Sequence, residues 1–308
     1  MHFPIQFFRT PPKFDFIGKR WIGFLVTGMG VAVTIASLAI NGLNFGIDFA
    51  GGIVIEAKTE GKADIGKMRD LLSDPAFGDP MLQSVGEGNV VMIRMGAKEG
   101  DEQSKLVQKA RDVLDSGYGA PIDYQRVDYV GPQVGRELIV GSAVAIGLSL
   151  FAIMVYLWFR FEWQYGLGGI MALVHDAILT VGFFSITQIE FNLTSVAAVL
   201  TIVGYSINDS VVIYDRIREN LRKFKKMPIG DVINLSVNET LARTFMTVGT
   251  VIAALLGLLI YGGDVLYGFS AAMLFGCVVG TYSSVYISAP VLIYLKLRRS
   301  EFNEPKTA

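Results

Sequence analysis

Long apolar runs broken by short charged stretches organise most of the chain. The first run, residues 21–40, matches the roughly 20 residues that one helix needs to cross a hydrocarbon core. It follows Lys19 and Arg20, is too long for a signal-peptide core and lacks an A-x-A exit, so it reads as a retained anchor. Further runs at 138–159, 166–187, 193–214, 241–261 and 266–295 bring the expected spans to six. The segment between the first two runs, 41–135, has a different pattern. Strands are expected over 53–58 and 89–95, with a shorter one at 82–85. Ile65, Met68, Leu71 and Leu72 recur at helical spacing within 63–73, as do Leu106, Val107, Ala110, Val113 and Leu114 within 102–114. A strand at 122–130 completes the order βαββαβ. That order predicts a ferredoxin-like α+β domain between helices 1 and 2 of an α-helical polytopic membrane protein with six transmembrane helices.

Composition agrees with that pattern. The chain has 308 residues, 52% apolar and 18% charged, with a mean hydropathy of +0.45, whereas soluble domains run near a quarter charged. The net charge of −1 lacks the basic excess of a nucleic-acid binder. A single cysteine, Cys277, excludes an internal disulfide or a cysteine metal cluster, and two histidines leave little room for zinc. No motif calls for a cofactor or a metal. The absence of a Walker loop speaks against nucleotide hydrolysis, and no enzyme activity is expected.

The small net charge conceals segregation. Segment 41–135 carries 10 Lys+Arg against 15 Asp+Glu. Six crossings place Arg9, Lys13, Lys19, Arg20, Arg160, the run from Arg216 to Lys226, Lys296, Arg298 and Arg299 on one side. The short loops at 188–192 and 261–265 on the other side have acids and no lysine or arginine. The positive-inside rule then puts both termini, tails 1–20 and 296–308 and loop 215–240 in the cytoplasm. The 41–135 domain falls in the periplasm if the cell is Gram-negative.

Ionisable residues within a span are costly and point to function. His175 and Asp176 fall in the third span, Asp209 in the fourth and Arg243 at the head of the fifth. Asp209 lies six residues before the interfacial Asp215, about 9 Å into the hydrocarbon. Thr201, Tyr205 and Asp209 repeat every four residues, flanked by Ser206 and Asn208, and Arg243 enters from the same side. Burial disfavours a charged carboxylate while a nearby arginine favours it, so Asp209 with Arg243 suits proton loading and release. The alternative is a static buried pair that sets helix register. His175 and Asp176, with Tyr205 and Asn208, are candidates for a secondary polar relay. For the His175–Asp176 pair the structural reading, hydrogen-bonded core groups, is preferred.

Gly276 and Gly280 read as a close helix contact, and Thr281, Ser284 and Ser288 as an interhelical polar stripe. Pro290 marks a kink or the emergence of the last span. Asn192, Leu193 and Thr194 match a glycosylation triplet that abuts the membrane. An intramembrane protease using Asp176 and Asp209 lacks the flanking GxGD-type context.

Several stretches carry a resemblance. FGIDFAGG (45–52), VGPQVGREL (130–138), VGYSINDSVVIYDRIREN (203–220) and NETLARTF (238–245) occur with HDAILT and GTYSSVYIS. In this order they resemble the SecF members of the SecD/SecF family of bacterial protein-export membrane subunits, from first span to last. The resemblance implies an inner-membrane subunit that pairs with SecD, associates with the SecYEG channel and uses the proton gradient to draw a preprotein outward. It also implies that Asp209 and Arg243 contribute to proton transport, with a further acid supplied by SecD. Gly46, Asp48, Gly51 and Gly52 of the first motif are expected to form a hinge to the exterior domain. Two competing readings are a small-molecule exporter subunit, for which about 95 exterior residues are few, and a non-transporting assembly subunit.

Overall fold

The computed structural model describes residues 12–77, 80–85, 88–96 and 102–297. Arg9, Arg298 and Arg299 of the expected basic clusters lie outside the described residues. Helix α1 (Arg20–Ile40) leads through a short helical turn, α2 (Ile47–Ala50), into the small domain. That domain runs β1 (Gly52–Thr59), α3 (Ile65–Leu71), β2 (Met81–Val85), β3 (Val90–Met95), α4 (Glu102–Gly117) and β4 (Ile122–Val130). Its sheet has the order β2-β3-β1-β4, antiparallel at every pairing. Alternation along the strands sends Ile53, Ile55 and Ala57, with Val91, Ile93 and Met95, to one face. There they pack on Met68 and Leu72 from the α3 region and on Leu106, Ala110 and Leu114 of α4. This is the ferredoxin-like arrangement expected from the element order.

The membrane domain follows as α5 (Pro132–Arg160), α6 (Trp163–Thr187), α7 (Leu193–Lys223), α8 (Ile229–Tyr261) and α9 (Gly263–Ser283). A wide π-helical turn (Ser284–Ser288) and α10 (Ala289–Tyr294) complete the last span. With α1, these make six helical segments long and apolar enough to cross a membrane, and the protein is a multi-pass membrane protein. The π turn stands just before Pro290, whose ring cannot fit a regular helix ladder. α6, α7 and the last span form the interior of the bundle, while α1, α5 and α8 turn apolar side chains outward. Such faces are ordinary where lipid is the solvent.

One expectation needs correction. Residues 215–240 read as a loop, yet α7 continues to Lys223 and α8 begins at Ile229, so only 224–228 break the helices. Hydropathy detects where a helix meets lipid, whereas the helix itself persists wherever its hydrogen bonds and packing do. Here Ile217 and Leu221 bury against Val232, Ile233 and Val237, closed by Ile17 and Leu297. Asn220 donates to Ser236 Oγ at 3.0 Å and to Glu239 Oε2 at 2.7 Å, which Arg216 also reaches at 2.7 Å. Asn234 and Asn238 hold the backbone of Phe14 and Phe16 against this arm.

Candidate functional site

Small residues let the inner helices approach closely. A side chain at Gly276 of α9 would run into Ile202 of α7, and one at Gly280 would meet Ser206 at 3.0 Å. This contact closes around Asp176 of α6, which is fully buried. Ser206 of α7 donates to Asp176 Oδ2 at 2.6 Å, and Ser283 of α9 donates to the same oxygen at 2.7 Å. His175 Nδ1 lies 3.0 Å from Oδ1. Three helices are therefore pinned to one carboxylate, whose burial cost is offset by hydrogen bonds. The polar stripe on the last span adds Ser284 beside Ser210 at 2.9 Å and Ser288 donating to Tyr214 at 2.6 Å. Thr281 instead bonds its own helix at Cys277.

Asp209 lies one turn along α7 from Ser206 and is 4% exposed. Among the described residues it takes no hydrogen bond or ion pair. Arg243 of α8 is its cationic neighbour but stays beyond the 4.0 Å of an ion pair. The Arg243 side chain is exposed, and so is Asn208. Tyr205 is half-buried, its hydroxyl turned toward Thr247 of α8 without a bond of regular geometry. Asp209 and Arg243 are thus brought near each other but not joined. His175 and Asp176 form a separate cluster with α9.

A second polar junction links the membrane domain to the sheet domain. Phe45 bridges Phe191 in the α6–α7 connection, with Gly46 N–H donating to the Phe191 carbonyl at 2.9 Å. Asp48 accepts the Leu193 N–H at 3.0 Å, at the positive end of α7, where Asn192 also caps the helix through Ser195. The glycosylation-like triplet is therefore built into a helix cap. Gly51 and Gly52 have φ values of 70° and 135°, and a side chain at Gly52 would sit 2.7 Å from the Met95 carbonyl oxygen. Glu190 forms an ion pair with Arg94 of β3; their side chains are 22% and 11% exposed. Burial pushes the Glu190 carboxyl above the usual carboxylate range, Arg94 draws it back, and Asp48 pushes it further up.

The sequence did not single out Ser283, Arg94 or Glu190. A serine in a small-residue helix and an ion pair 96 residues apart carry no local signal. Among the described residues no group of histidine, cysteine and carboxylate side chains has the arrangement of a metal site.

Fold and site together define a six-span membrane protein with one α+β domain outside the helical bundle and a polar seam within it. Residues 112–298 match the family described as protein export membrane protein SecD/SecF, C-terminal, and residues 36–63 match the SecD/SecF GG motif. The chain is 46% identical to protein translocase subunit SecF of Rickettsia felis over 297 residues, covering 96% of both proteins. It is 44% identical to protein translocase subunit SecF of Rickettsia bellii over 299 residues, covering 97% of this chain and 99% of that one. The crystal structure of SecDF, a translocon-associated membrane protein from Thermus thermophilus, matches with a TM-score of 0.84 at 32% identity. That match covers 94% of this chain but only 40% of the solved SecDF chain. The chain belongs to the SecD/SecF family of protein-export membrane proteins.

Proposed function

We propose that this chain is an accessory subunit of the bacterial Sec export machinery, working with SecD at the SecYEG channel to convert the proton gradient into preprotein movement. The observation that carries this reading is the state of Asp209: a buried carboxylate without a hydrogen-bond partner among the described residues, near but not joined to Arg243. Protonation removes its charge and weakens its attraction to Arg243, so the preferred packing of α7 against α8 changes with the proton. A proton shifts two packings only by binding them unequally, and a loosely held acid offers that difference. The exposed Arg243 and Asn208 support a protein partner over this face, since an arginine turned to lipid at membrane depth costs several kcal/mol. The 40% coverage of the SecDF chain fits a SecD subunit as that cover. In this reading the membrane is the bacterial inner membrane, both termini are cytoplasmic and the sheet domain is periplasmic, in line with the basic and acidic sides of the chain.

The same exposed arginine favours a second reading, in which the chain is a passive assembly subunit that grips its partner through Arg243. Membrane vesicles separate the two. Asp209→Asn is expected to abolish gradient-stimulated export and the accompanying proton flux while the protein still assembles. Undiminished flux and stimulation in that variant would sink the coupling reading.

A further inference from the structure

We propose that the Arg94–Glu190 ion pair is the transmission contact through which movement of α7 reaches the sheet domain. The inference rests on the coupling reading above and adds two positioning residues to it.

Among the described residues this is the one ion pair between the sheet domain and the membrane domain. Both charges are largely withdrawn from water, so each depends on the other for compensation. Glu190 is fixed to the head of α7: its carbonyl accepts Ser195 Oγ at 3.1 Å, and the neighbouring Leu193 N–H is held by Asp48. From that head α7 is one continuous helix through Asp209 to Lys223. Asp209 lies 16 residues along it, about 24 Å at 1.5 Å per residue. A continuous helix behaves as a stiff rod, so a tilt provoked at Asp209 appears at Glu190.

The other end of the contact is equally well placed. Arg94 stands in β3, opposite Val54 of β1 and Met81 of β2, so a pull on it is shared by three strands. Beside it, Gly51 and Gly52 adopt backbone conformations that other residues rarely take, and they join the sheet to α2 as a jointed connection. Such a joint lets the domain turn but does not push it; the ion pair supplies the off-axis contact that can. Gly46 leaves the space the carboxylate occupies, because a side chain there would run into Glu190.

The test uses the full chain in inverted membrane vesicles, with proton flux and gradient-stimulated export measured separately. The variants are Arg94→Gln, Glu190→Gln, Gly46→Ala and the exchanged pair Arg94→Glu/Glu190→Arg, run beside Asp209→Asn. Each glutamine variant is expected to keep its proton flux yet lose about tenfold of the stimulation, a typical size for coupling between sites. Gly46→Ala, which displaces the carboxylate without changing its charge, is expected to show the same split in milder form. The exchanged pair is expected to restore stimulation at unchanged flux, whereas a merely structural role would move flux and stimulation together. Full stimulation in the glutamine variants, or loss of flux together with stimulation, would overturn the proposal, as would an exchanged pair that assembles but stays uncoupled. Unchanged flux and stimulation in Asp209→Asn would instead overturn the coupling reading, and this inference with it.

Discussion

Asp176 and Asp209 are buried carboxylates on adjacent helices of one bundle, yet their surroundings differ. Asp176 accepts from serines on two other helices and lies against His175, at a junction closed by close packing of α7 on α9. Asp209 has no such partner among the described residues and faces α8, most of whose span is turned outward. A carboxylate with several charge-assisted partners holds its helices in one arrangement, because a shift must break those bonds together. A carboxylate without them leaves its helix free to respond to a change of charge. The bundle thus divides into a fixed unit of α6, α7 and α9 and a looser seam between α7 and α8. α7 belongs to both, so a change at the seam moves the pinned helices as one body relative to α8 and reaches the α6–α7 connection that carries Glu190.

Removing the acids one at a time is the hardest test of this contrast. Asp176→Ala strands the Ser206 hydroxyl and the His175 imidazole in the interior, leaves Ser283 only its own helix's Gly280 carbonyl, and is expected to cost about 3–5 kcal/mol of stability. Asp209→Asn removes a charge that nothing compensates at bonding distance, and is expected to change stability by less than about 1 kcal/mol. Thermal unfolding in detergent, followed by helical circular dichroism, measures both. Equal losses would show that the two sites are of one kind.

Much of this architecture is legible from patterning alone. Six apolar runs and a period-2/period-3.6 alternation between the first two are global signals, repeated over many residues. The acids Asp176 and Asp209 also stand out, because charge inside an apolar run is rare. What separates them is not written locally. Ser206 and Ser283 become partners of Asp176 only through the rotational register of three helices, and Ser283 is one serine among several in its stretch. The helical arms beyond the bilayer were hidden for another reason: Arg216, Arg222 and Lys223 end the apolar run without ending the helix.

A third carboxylate, Glu190, lies between these extremes and sharpens the contrast through pH. Its carboxyl is raised in the docked structure, chiefly by burial and against the pull of Arg94. The docked state therefore holds the proton more tightly than a solvated carboxyl does. Ionisation of Glu190 therefore costs the docked state some stability as pH rises from the ordinary carboxylate range through the raised value, and the Arg94 cation limits that cost while it makes the contact a directional one. Each tenfold difference in proton affinity corresponds to about 1.4 kcal/mol. Arg94→Gln removes the opposing cation, so Glu190 should titrate still higher, as read by isotope-edited infrared spectroscopy of its carboxyl band. A lower titration point in that variant would mean that Arg94 does not compensate the buried charge.

A small effect is expected at the head of α7, where structural and coupling roles meet within four residues. Asn192 Oδ1 accepts the Ser195 N–H at 3.1 Å, and Ser195 Oγ in turn accepts the Asn192 N–H at 3.2 Å. Such a reciprocal cap satisfies helix-end donors that would otherwise lack partners, and Asn192→Ala is expected to cost about 1 kcal/mol. Asn192→Ser, which keeps an acceptor at the cap, should recover most of that loss. If the cap belongs with Asp176 as a fixing device, the alanine variant unfolds at lower temperature with its proton flux intact. If flux falls while the serine variant restores stability but not flux, the Asn192 side chain takes part in coupling directly, and the division between the fixed unit and the moving seam runs through the head of α7 rather than along its length.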